Sequence, residues 1–117
     1  MHDVHTERRE SMTTKELEQY QSLKEEQADI ETLLWETETA DDYKRLKNLY
    51  QSKLSEIIDA RIRIENAINT LEPTERRLMR LHYVFGLTWE EVGRRMYYER
   101  SQVYRIRRSA LKKLKNA

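Results

Sequence analysis

Two glycines and one proline are all that interrupt the 117 residues of this chain. Glycine and proline are the residues that most strongly disfavour helix, so a chain rich in Leu, Glu, Lys and Arg with so few of them has little choice but to be all-α. The lone proline, Pro73, pushes the residue before it out of helical geometry and so ends whatever helix precedes it. Both glycines, Gly86 and Gly93, lie beyond it. Long uninterrupted helices are therefore expected before Pro73 and short ones after it.

Apolar spacing supports this division. Residues 1–13 read as a frayed, disordered polar tail. Thr13, with Glu16 three residues on, has the pattern of a capping box for a first helix. Along that helix Tyr20, Leu23, Gln27, Ile30 and Leu34 recur at alternating steps of three and four. A second seam runs through Tyr43, Leu46, Tyr50, Lys53, Ile57, Ala60, Ile64, Ala67 and Leu71, widened by Leu49, Leu54, Ile58 and Ile68. The two seams are out of phase, so a break is expected within residues 36–42, with Thr39 or Asp41 capping the second helix. One bent continuous helix is the competing reading. Residues 14–72 thus form a helical hairpin or coiled coil, and stripes this long favour self-association into a homo-oligomer. Lys53, inside the second seam, either sets register or extends its stem to solvent.

Charge is divided at the same point. Residues 1–72 hold 10 Lys and Arg against 17 Asp and Glu, whereas residues 73–117 hold 12 against 4. The basic part suits a polyanion, and the acidic part suits a protein partner.

In residues 73–117 three shorter helices are expected. Helix three opens at Thr74, presents Leu78, Leu81, His82 and Phe85, and ends at Gly86. Helix four is opened by a capping box, Thr88 with Glu91, and buries Trp89, Val92 and Met96. Gly93, on the same side, permits close approach of another helix. Tyr97, Tyr98 and Glu99 make the turn. Helix five, about Arg100 to Lys115, hides Val103, Ile106, Ala110, Leu111 and Leu114 and shows Ser101, Tyr104, Arg105, Arg108 and Lys112. Two helices joined by so short a turn, the second basic outside, make a helix-turn-helix whose second helix fits the DNA major groove.

The segment LTWEEVGRRMYYERSQVYRIRRSALKKL (87–114) resembles region four of bacterial sigma factors, the part that reads the −35 element. The resemblance extends without a gap to LEPTERRLMRLHYVFG (71–86). It implies a three-helix domain that binds promoter-like double-stranded DNA and contacts RNA polymerase. It places base reading on Ser101, Gln102 and Arg105, and backbone contact on Thr88, Arg100, Tyr104, Arg108 and Lys112. The family commonly has acidic, Arg and Gln residues at the three base-reading positions, so a different DNA sequence is expected, with Arg105 donating to guanine and Gln102 pairing with adenine. It also commonly has glycine where Tyr97 stands and Ser or Thr where Glu99 stands, which leaves the turn open. Nothing in residues 1–72 resembles the −10-binding and promoter-melting region. The whole chain looks similar to small phage-encoded regulators of late transcription.

Other classes fit less well. A small-terminase-like DNA-packaging subunit and an adaptor binding RNA polymerase or a sigma factor are the alternatives. No nucleophile–base set or phosphate loop appears, so no enzyme and no cofactor is expected. His2, Asp3 and His5 suit a polar tail better than a metal site. His82 suits a half-buried core position, and Trp89, Tyr83, Tyr97 and Tyr98 suit packing better than base stacking. The lack of a long apolar stretch, of an apolar leader and of cysteine is what a cytoplasmic chain in a bacterial or phage-infected cell would show.

Overall fold

A computed structural model describes residues 11–116. Five helices follow one another: α1 (Thr14–Glu36), α2 (Ala40–Ile68), α3 (Pro73–Met79, continued by a wider turn over Arg80–Val84), α4 (Trp89–Met96) and α5 (Arg100–Lys115). Among the described residues there is no strand, and no helix is long and apolar enough to cross a membrane.

The chain does break between the two long helices, which pack as a hairpin. Thr13 and Glu16 form the expected capping box, and Thr39 accepts from the Asp42 amide to start α2. The first seam is spent inside this hairpin: Tyr20, Leu23, Gln27 and Ile30 are buried. Gln27 donates to the Tyr50 carbonyl at 3.3 Å. Lys53 stays half-buried and reaches Glu26 at 2.7 Å, an ion pair between the arms. The second seam is buried only towards its end, at Ile64, Ala67 and Leu71; Tyr43 at its start is exposed, as are the flanking Leu49, Leu54 and Ile58. The cause is geometric. Only the base of the hairpin meets the C-terminal helices, so only there is a wide stripe covered.

That base and the C-terminal helices share one core, from Leu17 and Tyr20 through Ile64 and Ile68 to Leu78, Val92, Val103 and Leu114. At Pro73 the chain changes charge and direction while the packing runs on. α2 ends at Ile68, short of Pro73, and Pro73 itself, one residue ahead of Thr74, takes the first helical position, where its missing N–H costs nothing. Gln21 from α1 donates to the carbonyls of Tyr83 and Val84 at 3.0 and 3.1 Å, satisfying groups at the end of α3 that have no intrahelical partner. Arg80 and Glu65, both half-buried, pair at 2.7 Å between α3 and α2.

Two expectations are corrected. Residues 11–13 are not a frayed tail: Met12 is 1% exposed, its amide donates to the Leu114 carbonyl at 2.9 Å, and the Ser11 hydroxyl donates to the Lys115 carbonyl at 3.2 Å. The rest of that expectation, together with His2, Asp3 and His5, lies outside the described residues. Phe85 is the second correction. The 3.6-residue spacing puts it in the core, yet it is 56% exposed, and Met79, Tyr83 and Val84 are buried instead. The Phe85 amide bonds to the Arg80 carbonyl five residues back. That wider turn advances the chain by a residue and rotates everything after it off the helical phase. Gly86 then ends α3 at a φ of +78°, as a glycine beyond a helix end commonly does.

Candidate nucleic-acid interface

α5 is placed by its neighbours on three sides. From α4, Gly93 lets α5 come close: a Cβ there would meet the Tyr98 carbonyl at 3.1 Å and Val103 at 3.3 Å. From α3, the buried Glu75 carboxylate accepts from the Ser109 hydroxyl at 2.9 Å and Lys113 at 3.0 Å. Burial works to raise the Glu75 pKa, but the bonds from Lys113, Ser109 and the Glu72 amide outweigh it and hold it below the usual carboxylate value. From the N-terminal strap, Met12 closes the end of α5. Val103, Ala110 and Leu114 face this framework.

The opposite side of α5 is consequently free. Ser101, Arg105, Arg108 and Lys112 fall at steps of four, three and four, which lines them up on one face, and all four are exposed. Among the described residues, Arg105 and Arg108 make no side-chain hydrogen bond or ion pair. Arg100 and Thr88 are exposed as well. The Thr88 box closes as expected, with its amide donating to Glu91 at 2.8 Å and its hydroxyl accepting from the Glu91 amide at 3.1 Å. The Thr88 amide foremost, and then the Thr88 side chain, hold the Glu91 carboxyl below its ordinary pKa.

The turn between α4 and α5 takes the shape a glycine would give it. Tyr97 sits at a φ of 60° and ψ of 40°, left-handed geometry that a residue with a Cβ enters at a cost of about 1–3 kcal/mol. Its ring is 94% exposed. Glu99 starts α5 through its amide, which donates to Gln102 Oε1 at 3.0 Å. This bears directly on base reading. Pairing with adenine needs the amide oxygen as well as the nitrogen of a glutamine. Here the oxygen of Gln102 is held by the helix start and the side chain is half-buried, which leaves its NH2 group as the freer of the two. The crook between the helices is a cleft of about 800 Å³ lined by Trp89, Arg94, Tyr97, Arg100 and Tyr104 among others.

Arg107 is the residue that sequence reasoning missed. Its guanidinium lies 4.9 Å from the Trp89 ring centroid and 5.7 Å from that of Tyr104, and Arg100 covers Tyr104 at 5.4 Å. Behind Trp89, the His82 ring stacks at 3.8 Å with an interplanar angle of 15°. An aromatic and cationic ladder thus leads from α3 through Trp89 and Arg107 to Tyr104, and orients a proposed backbone contact. The basic character of residue 107 disguised this, because on a simple wheel it reads as one more surface arginine.

His82 is half-buried, with Nδ1 donating to the Leu87 carbonyl at 2.6 Å. Burial foremost, and then Arg107, pushes its pKa below the ordinary 6.5, against opposite pulls from that carbonyl and Glu18. The unfolded chain therefore binds a proton at His82 before the folded one does. Stability is complete above about pH 6.5 and falls as pH drops from there through the folded value. The losses expected from Glu75 and Glu91 come lower, below the carboxylate value of 4.5. Thermal melts across this range should show the upper slope flattened in His82→Phe; an unchanged slope would show that His82 does not cause it.

Residues 67–116 match the family described as Sigma-70, region 4. No curated protein and no solved structure matches the chain significantly.

Proposed function

From the premise that residues 67–116 form a sigma-region-four-like helix-turn-helix, we propose that this protein is a sequence-specific transcription regulator in which α5 enters the major groove of promoter-like DNA. The observation carrying this reading is the free line Ser101–Arg105–Arg108–Lys112, held outward by the packing of the opposite face. Arg105, near the start of α5, reads a guanine; Ser101 and the Gln102 NH2 group contribute beside it. Arg108, Lys112 and Arg100 neutralise phosphates, and Tyr104 and the N-terminal end of α4 at Thr88 hydrogen-bond to them. Contact with RNA polymerase turns reading into regulation, in the manner of the small phage regulators that the chain resembles. The chemistry of the site is binding, with no reaction assigned to it.

Self-association is the second part of the proposal. The hairpin uses its seams internally but leaves Leu54, Ile58 and Ile62 exposed at steps of four on α2, a stripe that a second copy can cover. Selection of bound sequences from a random duplex pool tests both parts. A defined site containing a guanine whose replacement abolishes preference is expected, arranged as a palindrome, with sedimentation giving the mass of two chains. A pool that shows no enrichment with folded protein overturns DNA reading. Enrichment of a single half-site by a monomer overturns self-association alone.

A further inference from the structure

We propose that the far end of the hairpin is a docking knob, in which Trp35 inserts into an apolar pocket rimmed by Lys and Arg on a partner protein. The inference rests on reading the acidic half as the protein-facing half and adds the surface and the chemistry of the partner. Trp35, in the last turn of α1, is 85% exposed. Leu33 and Tyr43 beside it are exposed too, and Glu31, Leu34, Trp35, Tyr43 and Tyr50 line a hollow of about 320 Å³. Trp and Tyr carry a disproportionate share of binding energy where proteins meet.

Charge names the partner. Residues 29–43 contain Asp29, Glu31, Glu36, Glu38, Asp41 and Asp42 and no Lys or Arg. Asp42 pairs with Arg45 at 2.8 Å; among the described residues the other five make no ion pair. The helix dipole accounts for Asp41 and Asp42, in the first turn of α2, but not for Glu36, which closes α1 at the end where negative charge is disfavoured and whose last turn has no basic residue. DNA is repelled by such a collar, and a cationic rim is drawn to it. Trp35 lies 18 residues beyond the buried Leu17, roughly 27 Å along α1 at 1.5 Å per residue. A partner at the knob therefore leaves α5 open to DNA.

The test uses the full chain bound to its selected duplex, with Trp35 replaced by the photoreactive p-benzoylphenylalanine and irradiated in an extract of bacterial cells. Cross-links are expected in a protein segment with Lys and Arg around apolar residues. The purified protein so identified should then bind Trp35→Ala at least about tenfold more weakly than the native chain, and Trp35→Phe nearly as well. Its affinity for Glu31→Gln/Glu36→Gln/Glu38→Gln should be reduced and should depend less steeply on salt. Cross-links only to a second copy, only to DNA, or to an acidic surface overturn the proposal. So does an absence of cross-links, or unchanged binding by Trp35→Ala. Duplex binding by Trp35→Ala, measured in parallel, should stay within about twofold, so failure at the knob is read separately from failure of DNA reading.

Discussion

Arg105→Ala/Arg108→Ala is expected to lower affinity for the selected duplex by roughly 30- to 1000-fold, with the fold intact. In the proposed roles Arg105 would supply about 1–3 kcal/mol as a base contact and Arg108 about 1 kcal/mol as a phosphate contact. The two fail differently. Arg105→Ala alone should relax preference at one base pair and leave binding to unrelated DNA nearly unchanged. Arg108→Ala should weaken all duplexes alike and flatten the salt dependence by about one unit of slope. Since both side chains are exposed and make no side-chain hydrogen bond or ion pair among the described residues, melting temperatures should stay close to the native value. Titration of the three variants against specific and random duplexes at several salt concentrations gives the result. Uniform loss from Arg105→Ala, with preference unchanged, would move base reading off Arg105. Regulation in cells that survived the double change would show that the hairpin works without α5.

How much of this was legible in the sequence depended on how local the cause was. The caps at Thr13 and Thr88 follow from side chains three residues apart, while at the second helix spacing left Thr39 and Asp41 both open and the structure selects Thr39. The outward face of α5 follows from helical period alone. Gly93 could be read as a close approach because a mid-helix glycine has a cost of about 1 kcal/mol that packing must offset. What remained hidden was long-range. The wide turn at Arg80–Val84 depends on how Tyr83 and Val84 meet α1 and on Gln21 receiving their carbonyls, which no periodicity encodes. Arg107 was hidden because the partner that draws it inward, Trp89, comes from another helix, whereas Tyr104, three residues back on α5, is local. The competition for Gln102 Oε1 is likewise a structural finding: the Glu99 amide at the helix start takes the oxygen that a pairing with adenine would need.

Met12→Ala is expected to destabilise the protein by about 2–5 kcal/mol, enough to lower the melting temperature by roughly 10 °C or more. Met12 lies in the segment that a purely local reading leaves loose, so the prediction separates the two views sharply. A methionine on a solvated strand would cost nothing to remove. The buried one contacts the same core as Leu17, Ile64 and Leu114, and its truncation leaves a cavity that the surrounding helices close only in part. The consequence extends to DNA. The Met12 amide and the Ser11 hydroxyl occupy carbonyls of Leu114 and Lys115, so the strap fixes the end of α5 distant from Arg105. Loosening it should affect Lys112, near that end, more than Arg105. Below its melting transition, Met12→Ala should keep its base preference and lose a fraction of its nonspecific affinity. Met12→Leu, which keeps the volume, should restore both to near the native level. Calorimetry and duplex titration of the pair decide the matter, and a melting temperature for Met12→Ala within about 2 °C of native would mean that the strap does not belong to the core.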